Sequence, residues 1–304
     1  MNPLRIGTRG SPLALWQAHH VTGLLRAVVP DRPIELVEIE TVGDQVRDVP
    51  LTQLGGDGAF TKAIQQALLD RRVDVAVHSL KDLPTFVVEG LMLAAVPERG
   101  PTGDAFVSKK YRSFAELPSG AVVATSSVRR KAQLLNRRPD LKLIDIRGNV
   151  ETRLRKLVEQ NLDATILAHA GLVRLGLADQ ITEILDASWM FPAVGQGALG
   201  LECRTDDAAT RSVLERLNDT EARYAVLAER AMLRGLGGGC QVPIGARTKI
   251  ANGMLTLRGV VLPPDGSQRI EAEIAGAMEE AESLGQTLAN QLRERGAEEL
   301  LKEN

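Results

Sequence analysis

The sequence predicts an α/β protein with two doubly wound domains joined by hinge crossings, plus a small α+β domain at the C-terminal end. Short apolar strands alternate with helices of 3.6-residue periodicity up to about residue 200. Gly/Pro-rich stretches near residues 100 and 195 interrupt this alternation twice, as expected where the chain crosses between domains. Three extended stretches and one long helix follow residue 240.

The composition is that of a folded, soluble protein. The chain has 304 residues, 44% of them apolar and 25% charged, which is enough for two or three domains and argues against disorder. No run approaches the roughly 18 apolar residues of a membrane span, and the N-terminal residues lack a signal-peptide pattern. Two cysteines, with no Cys/His spacing typical of zinc, predict a reducing compartment and no metal site. We therefore expect a cytoplasmic protein.

Strands and helices alternate in the first domain. Residues 4–8 form a predicted strand, and Ser11-Pro12 supplies an N-cap and an N1 proline to a helix that Pro30 ends. Further strands are predicted over 34–41 and 73–77, with a glycine-rich loop over 51–58 and a helix over 60–69 between them. This order indicates a mainly parallel sheet.

The second domain places arginines after successive strands. Predicted strands over 121–125, 141–146 and 163–168 each lead into a helix. The arginines that follow these strands are Arg129 and Arg130, then Arg147 and Arg153, then Arg174. Because the carboxyl ends of strands form the ligand crevice in open α/β sheets, we expect these side chains to converge there.

Domain boundaries follow from the two crossings. A strand over 198–202 can return to the first domain, and helices follow over 207–217 and 221–234. Extended stretches over 242–250, 254–262 and 269–274 and a helix over 278–295 complete the chain. The predicted domains are 1–99 with 198–217, then 103–192, then 220–304.

Arginine is strongly preferred over lysine, with 28 Arg against 9 Lys. From Arg129 to Lys156 there are ten basic residues and three acidic ones, although the whole chain has a net charge of -2. A guanidinium pairs two donors at a time with a carboxylate or phosphate. Composition alone fits a solvated face equally well, but the position of these arginines after strands favours an anion site.

The heptapeptide His-Ser-Leu-Lys-Asp-Leu-Pro over 78–84 is the main candidate for chemistry. Asp82 lies on a constrained turn where a carboxylate can serve as acid, base or counter-ion; an ordinary turn aspartate is the alternative. Lys81 could form a Schiff base, although an ion pair is the simpler account. His78 is interpreted as a structural histidine.

Three further features of the sequence each allow more than one interpretation. Ser126-Ser127 can bind an anion at a helix N-terminus or simply cap the helix. Cys240, in a glycine-rich loop, can be a modified nucleophile or an inert thiol, whereas Cys203 in a strand is interpreted as a small buried side chain. The Gly55-Gly-Asp-Gly58 loop is interpreted as a connection rather than a phosphate cradle.

Several motifs resemble the porphobilinogen deaminase (hydroxymethylbilane synthase) family. Besides the heptapeptide, they include Gly-Gly-Cys-Gln-Val-Pro-Ile-Gly over 238–245 and Thr-Ser-Ser-Val-Arg-Arg over 125–130. The other matching stretches are 4–18, 147–150, 170–176, 197–203 and 229–232. They run in family order through residues 4–245.

The resemblance implies a monomeric, three-domain transferase of tetrapyrrole (haem-type porphyrin) biosynthesis. Four porphobilinogen molecules condense head to tail, with loss of ammonia through an azafulvene-like species, to the linear tetrapyrrole hydroxymethylbilane. The primer would be a dipyrromethane cofactor held by a thioether to Cys240, and Asp82 would be the catalytic residue. The residues implied to bind the carboxylates of cofactor and substrate are Arg9, Ser11, Lys81, Ser127, Arg129, Arg130, Arg147, Arg153 and Arg174.

The sequence departs from the family at Asp57. Members often have Gly-Gly-Lys-Gly in the active-site loop, where this chain has Gly55-Gly-Asp-Gly58. A carboxylate there would repel an acidic substrate, which puts a binding role for this position in doubt.

Two other classes of function compete with this assignment. Two α/β domains joined by two crossings also resemble bilobal periplasmic solute-binding proteins, but such a receptor gives no reason for the cysteine motif. Nucleic-acid binding by the arginine-rich region is the second alternative. A sequence pI near 6.2 and 3% aromatic residues argue against it.

Overall fold

The computed structural model describes residues 2–41, 58, 61–238 and 242–302. Its strands are β1 Leu4–Thr8, β2 Ile34–Glu38, β3 Val75–Ser79, β4 Leu91–Ala95, β5 Asp104–Val107, β6 Val122–Ala124, β7 Lys142–Ile144, β8 Ala164–Ala168, β9 Glu183–Ile184, β10 Leu199–Arg204, β11 Ile244–Ala251, β12 Met254–Val261 and β13 Ile270–Ala277. Its helices are α1 Pro12–Val28, α2 Lys62–Leu69, α3 Val128–Arg137, α4 Val150–Glu159, α5 His169–Arg174, α6 Ala208–Glu215, α7 Thr220–Gly235, α8 Ala281–Glu294 and α9 Ala297–Lys302.

The chain divides into two compact units. One comprises Met1–Gly100 with Gly197–Arg223, and the other comprises Pro101–Gln196 with Tyr224–Asn304. The second unit contains two separate sheets. The boundaries of the three domains predicted from the sequence stay a prediction.

The first unit is built on a five-stranded sheet of order β2-β1-β3-β10-β4. Strand β1 runs parallel to β2 and β3, whereas β10 runs antiparallel to β3 and β4. Helix α1 begins as predicted, since the N–H of Ala14 donates to Oγ of the N-cap Ser11 and Pro12 opens the first turn. Val21 and Leu25 of α1 are fully buried in the aliphatic core of this sheet.

The second unit contains a five-stranded sheet of order β7-β6-β8-β5-β9. Strands β7, β6 and β8 are mutually parallel, and β5 runs antiparallel to β8 and β9. Two apolar clusters, one around Phe106 and Leu134 and one around Leu157 and Leu172, fill its two faces. The predicted α/β class is confirmed.

The first sheet is mainly parallel, as predicted, and so is the second: in each, one of the five strands is reversed. Each acquires its antiparallel strand next to a crossing: β5 starts at Asp104 and β10 starts at Leu199. Strand β5 was not predicted from the sequence. All four of its residues are buried, so it lacks the alternation of apolar and polar residues that marks a half-buried strand. Strands β4 and the two-residue β9 were also missed.

The C-terminal part has the predicted α+β composition. Strands β11, β12 and β13 form an antiparallel meander, and α8 packs on it. Leu255 and Leu257 of β12 meet Leu288 and Leu292 of α8 in one fully buried cluster. A helix covering one face of a three-stranded sheet supplies the core that this sheet needs.

The loop between β12 and β13 approaches α3 very closely at Gly266. The Nδ2 group of Asn136 donates to the Gly266 carbonyl at 2.8 Å, and Gly266 has a φ of +69°. A Cβ atom here would lie 2.4 Å from the Ala132 carbonyl oxygen and 2.6 Å from the Asn136 nitrogen. Both obstacles are helix backbone, which cannot move aside.

We expect Gly266→Ala to lower the free energy of unfolding by about 2 kcal/mol or more, through left-handed strain and backbone overlap together. Gly253→Ala is the matched control, because Gly253 has a similar φ of +75° with open space around it. The control should cost only the strain, about 1 kcal/mol. Denaturant unfolding of both variants checks this; equal losses would show that the close approach to α3 is unimportant.

Candidate functional site

The first candidate site is a cleft at the carboxyl ends of β1 and β3. These strands are parallel, so the residues after them emerge at the same sheet edge. The cleft has a volume of about 440 Å³, including space open to solvent. Its lining residues are Arg9, Ser11, Leu13, Ala14, Gln17, Thr61, Ile64, Val77, His78, Ser79 and Asp82. The structure therefore brings together three predicted site residues: Arg9, Ser11 and Asp82.

Asp82 is held on a short 3-10 turn, Leu80–Asp82, directly after β3. The N–H of Leu80 donates to the Ala198 carbonyl at 3.0 Å, and the N–H of Leu83 donates to the Leu80 carbonyl. The Leu80 side chain is buried against β10, where a Cβ on Gly200 would lie 2.5 Å from it. Backbone bonds and a buried anchor thus position the half-buried carboxylate of Asp82 before it meets any ligand.

Gln17 joins α1 to the end of β3 and was not identified from the sequence. Its Nε2 group donates to Ser79 Oγ at 2.7 Å, and its side chain is buried in the cleft wall. The available signal was its position, since Gln17 lies on the helix face that carries the buried Ala14 and Val21. A polar residue on a buried helix face needs a partner.

A buried carboxylate lies behind the cleft. His78 Nε2 lies 2.9 Å from Glu202 Oε2, and both side chains are less than one tenth exposed. The Nε2 group of Gln65 donates to both carboxylate oxygens of Glu202, at 3.2 and 3.1 Å. The burial of His78 and its proximity to Glu202 fit its interpretation as a structural histidine, and the residue forms part of the cleft lining.

The second candidate site is the carboxyl edge of the parallel strands β7, β6 and β8. The turn after β6 leads to Arg129 and Arg130, the turn after β7 contains Arg147, and the helix after β8 ends at Arg174. Because the three strands are parallel and adjacent, these turns lie at one edge of the sheet. As predicted, these arginines follow the carboxyl ends of successive strands.

Arg129 and Arg130 are buried and share one carboxylate. Arg129 Nη1 lies 2.7 Å from Asp104 Oδ2, and Arg130 donates to Asp104 Oδ1 from Nε at 3.0 Å and from Nη2 at 2.7 Å. Burial alone would raise the pKa of Asp104, but the charges of the two guanidinium groups hold it far below its ordinary value. Sequence reasoning missed Asp104, which stands 25 residues before its first partner.

The other arginines are less buried. Arg147, Arg153 and Arg174 are each partly exposed, and Arg153 Nε donates to the Gly148 carbonyl at 2.8 Å. Burial lowers the pKa of Arg174 to about 10, which indicates a partly desolvated cation. An anionic ligand would compensate that desolvation.

The serines of the second edge act as caps. Ser127 Oγ accepts from the N–H of Arg130 at the start of α3. Ser126 Oγ donates to the Ile146 carbonyl and accepts from the Ile146 N–H, which ties the turn after β6 to the end of β7. Capping is thus present, and anion binding by Ser127 stays a prediction.

Of the two cysteines, the structure describes Cys203. Cys203 is buried in β10, and burial is the main cause that raises the pKa of its thiol to about 11. Such a thiol is a poor nucleophile. Cys240 and Asp57 lie outside the described residues.

Across 2–41, 58, 61–238 and 242–302, no helix combines the length and apolarity that crossing a membrane requires. Within that part of the chain, no cluster of three or more His, Cys, Asp or Glu side chains is arranged to hold a metal ion.

The fold and its two polar sheet edges define a mixed α/β protein whose strand ends carry a fixed carboxylate and a set of arginines. A family described as "Porphobilinogen deaminase, dipyromethane cofactor binding domain" matches residues 4–212. A second, "Porphobilinogen deaminase, C-terminal domain", matches residues 223–294. The chain belongs to the porphobilinogen deaminase family, which confirms the resemblance.

Curated relatives match over the whole chain. A porphobilinogen deaminase of Geobacter sulfurreducens is 50% identical over 303 residues, covering 100% of this chain and 95% of the relative. That of Geobacter metallireducens is 50% identical over 300 residues, covering 99% and 94%. That of Trichlorobacter lovleyi is 51% identical over 300 residues, covering 99% and 96%.

Solved structures with a similar arrangement are distant in sequence. The methionine binding protein MetQ is 14% identical, with a TM-score of 0.47, covering 75% of this chain and 95% of that one. An ABC transporter periplasmic substrate-binding protein from Coxiella burnetii is 14% identical, with a TM-score of 0.45, covering 74% and 96%.

The buried Asp104 predicts a pH-dependent stability. Its pKa in the folded chain lies below its unfolded value of about 4, so its contribution is complete above that pH and is lost as the pH falls towards the folded value. Asp104→Asn should lower the free energy of unfolding by about 3–5 kcal/mol at pH 7, because two buried guanidinium groups lose their counter-charge.

Urea unfolding between pH 3 and pH 7 checks this prediction. The difference between parent and Asp104→Asn should shrink as the pH falls below about 4, since the asparagine does not titrate. Asp206→Asn is the control, because both side chains of the Arg71–Asp206 ion pair are more than half exposed, and it should change stability little. A difference that stays constant with pH would contradict the assignment.

Proposed function

We propose that this chain is a porphobilinogen deaminase that condenses four porphobilinogen molecules into hydroxymethylbilane on a dipyrromethane primer. The observation that carries the proposal is the position of Asp82, fixed on a turn at the cleft edge within a chain that matches the family over 4–212 and 223–294. Cytoplasmic location and a monomeric state stay predictions, as does the absence of nucleic-acid and membrane partners.

The cofactor supplies the pyrrole carbon from which the product chain grows. Its attachment needs a nucleophilic thiol, and Cys203 does not fit because its thiol is buried with a raised pKa. Cys240 therefore becomes the proposed anchor. The acetate and propionate groups of porphobilinogen and of the cofactor need cationic donors, and the partly exposed Arg147, Arg153 and Arg174 fit that need.

Asp82 would carry the acid–base and electrostatic work. A carboxylate oxygen can accept a pyrrole N–H and stabilise the positive charge that develops as ammonia leaves. The 3-10 turn fixes the carboxylate in advance, so little reorganisation opposes the reaction. Lys81, Arg9 and Ser11 follow the same two strand ends and would bind ligand carboxylates.

Arg129 and Arg130, the buried arginine pair, would also bind ligand carboxylates. Arg129 and Arg130 share Asp104, and each guanidinium has five N–H donors, so donors remain for a ligand after the contacts to Asp104. We propose that they bind carboxylates from a fixed, buried position, while the partly exposed arginines adapt to the lengthening chain.

The solute-binding alternative explains the two crossings but not the cysteine motif. The match to both family domains along the chain favours the enzyme. Turnover of porphobilinogen to a linear tetrapyrrole by the purified chain tests the proposal directly. Ligand binding without any turnover would favour the alternative.

Asp82→Asn should keep the shape of the turn but lose the negative charge. We expect kcat to fall by about 100-fold or more, with a much smaller change in KM, because the charge acts mainly on the developing cation. Asp31→Asn, at an exposed position of the same unit, is the control and should leave kcat unchanged. Steady-state kinetics with porphobilinogen measure both; near-normal turnover by Asp82→Asn would remove Asp82 from the mechanism.

The covalent anchor is tested by intact mass under denaturing conditions. The parent chain and the control Cys203→Ser should carry an added mass equal to a two-pyrrole unit, and Cys240→Ser should lack it. A parent without the adduct is incubated with porphobilinogen and measured again, which separates an apo preparation from a wrong assignment. An adduct retained by Cys240→Ser would place the anchor elsewhere.

A further inference from the structure

Gln196 lies at the second crossing and contacts the first one. Its side chain is fully buried, and Nε2 donates to the Thr102 carbonyl at 2.6 Å, the Gly103 carbonyl at 3.2 Å and Asp104 Oδ1 at 3.0 Å. These acceptors belong to three consecutive residues, which form the last part of the first crossing and the start of β5. One amide group therefore joins the two crossing segments.

The same amide touches the carboxylate that holds the arginine pair. Asp104 Oδ1 accepts from Gln196 and from both Nε and Nη2 of Arg130, while Oδ2 accepts from Arg129. Arg130 Nη1 also donates to the Ile166 carbonyl at 2.9 Å, which fixes the guanidinium against β8. Gln196 thus donates to the same carboxylate oxygen as Arg130 and contributes, with the two arginines, to the orientation of the Asp104 carboxylate.

The second crossing also contacts the arginines at Phe191. Arg129 Nη1 donates to the Phe191 carbonyl at 2.5 Å, and Gln133 donates to the same carbonyl and accepts from the Phe191 N–H. Phe191 and Gln133 are fully buried. The segment from Phe191 to Gln196 therefore contacts Arg129 at one end and the shared carboxylate of Asp104 at the other.

We propose that Gln196 is a positioning residue for carboxylate binding: it orients Asp104 and, through it, the guanidinium groups of Arg129 and Arg130. The inference rests on the proposed function, which gives these arginines ligand carboxylates. A guanidinium binds a carboxylate as a planar fork, so its affinity depends on angle as well as distance. A residue that sets the angle controls binding without touching the ligand.

A purely structural role for Gln196 makes a different prediction. If its amide only joined the crossing segments, its loss would lower stability, and its effect on ligand binding would be independent of the arginine that is changed. A positioning role requires that the effect of Gln196 be transmitted through Arg129 and Arg130. Double-mutant cycles separate the two because residues in one hydrogen-bond network couple, whereas independent sites add.

The experiment uses Gln196→Met, which removes the amide while keeping an unbranched side chain of similar length. We expect kcat/KM for porphobilinogen to fall by about tenfold, mainly through KM, as small misplacements of binding groups do. Combined with Arg130→Lys, the second loss should be about twofold or less. Combined with Arg147→Lys, the control pair, the losses should multiply, because Arg147 lies on a different turn.

Each outcome decides a separate question. Multiplicative losses in both pairs, or a lower melting temperature with unchanged kcat/KM, would overturn the positioning role. An inactive parent chain would instead remove the proposed function and this inference with it. If Gln196→Met does not fold, Gln196→Asn keeps an amide one methylene short of Asp104, and the same cycle with Arg130→Lys and Arg147→Lys applies.

Discussion

Burying two guanidinium groups side by side is the constraint on which the second five-stranded sheet depends. Like charges in a low-dielectric interior repel strongly unless a counter-charge and further hydrogen bonds compensate them. Asp104 supplies the charge, and the carbonyls of Ile166 and Phe191 supply two further acceptors. The start of β5, the middle of β8 and the second crossing are consequently fixed relative to the first turn of α3.

The two candidate sites follow one architectural rule with different contents. Both sit at the carboxyl edge of parallel strands, where turns are free to carry polar side chains. In the first unit the edge carries a carboxylate on a short turn, secured by a buried leucine and two backbone bonds. In the second unit it carries cations at several depths, from the buried Arg129 to the partly exposed Arg147. The sheets thus serve as supports, and the chemistry belongs to the turns.

Local features of the fold could be read from the sequence, whereas the partners of buried polar groups could not. The cap at Ser11, the start of α1 and the succession of arginines after β6, β7 and β8 are encoded within a few residues. The Gln196–Asp104 bond spans 92 positions and the Gln17–Ser79 bond spans 62. Such pairings depend on how the chain returns on itself, which no local pattern records. Cys240 and Asp57 stay at the level of family resemblance.

The buried thiol of Cys203 has a consequence for chemical selectivity. A thiol must ionise before it attacks an electrophile, and the folded chain keeps Cys203 covered and protonated at neutral pH. The sequence contains one other cysteine, at position 240. Folding therefore protects Cys203 from a reactive small molecule that meets the native chain. This protection comes from burial alone and needs no recognition of the electrophile.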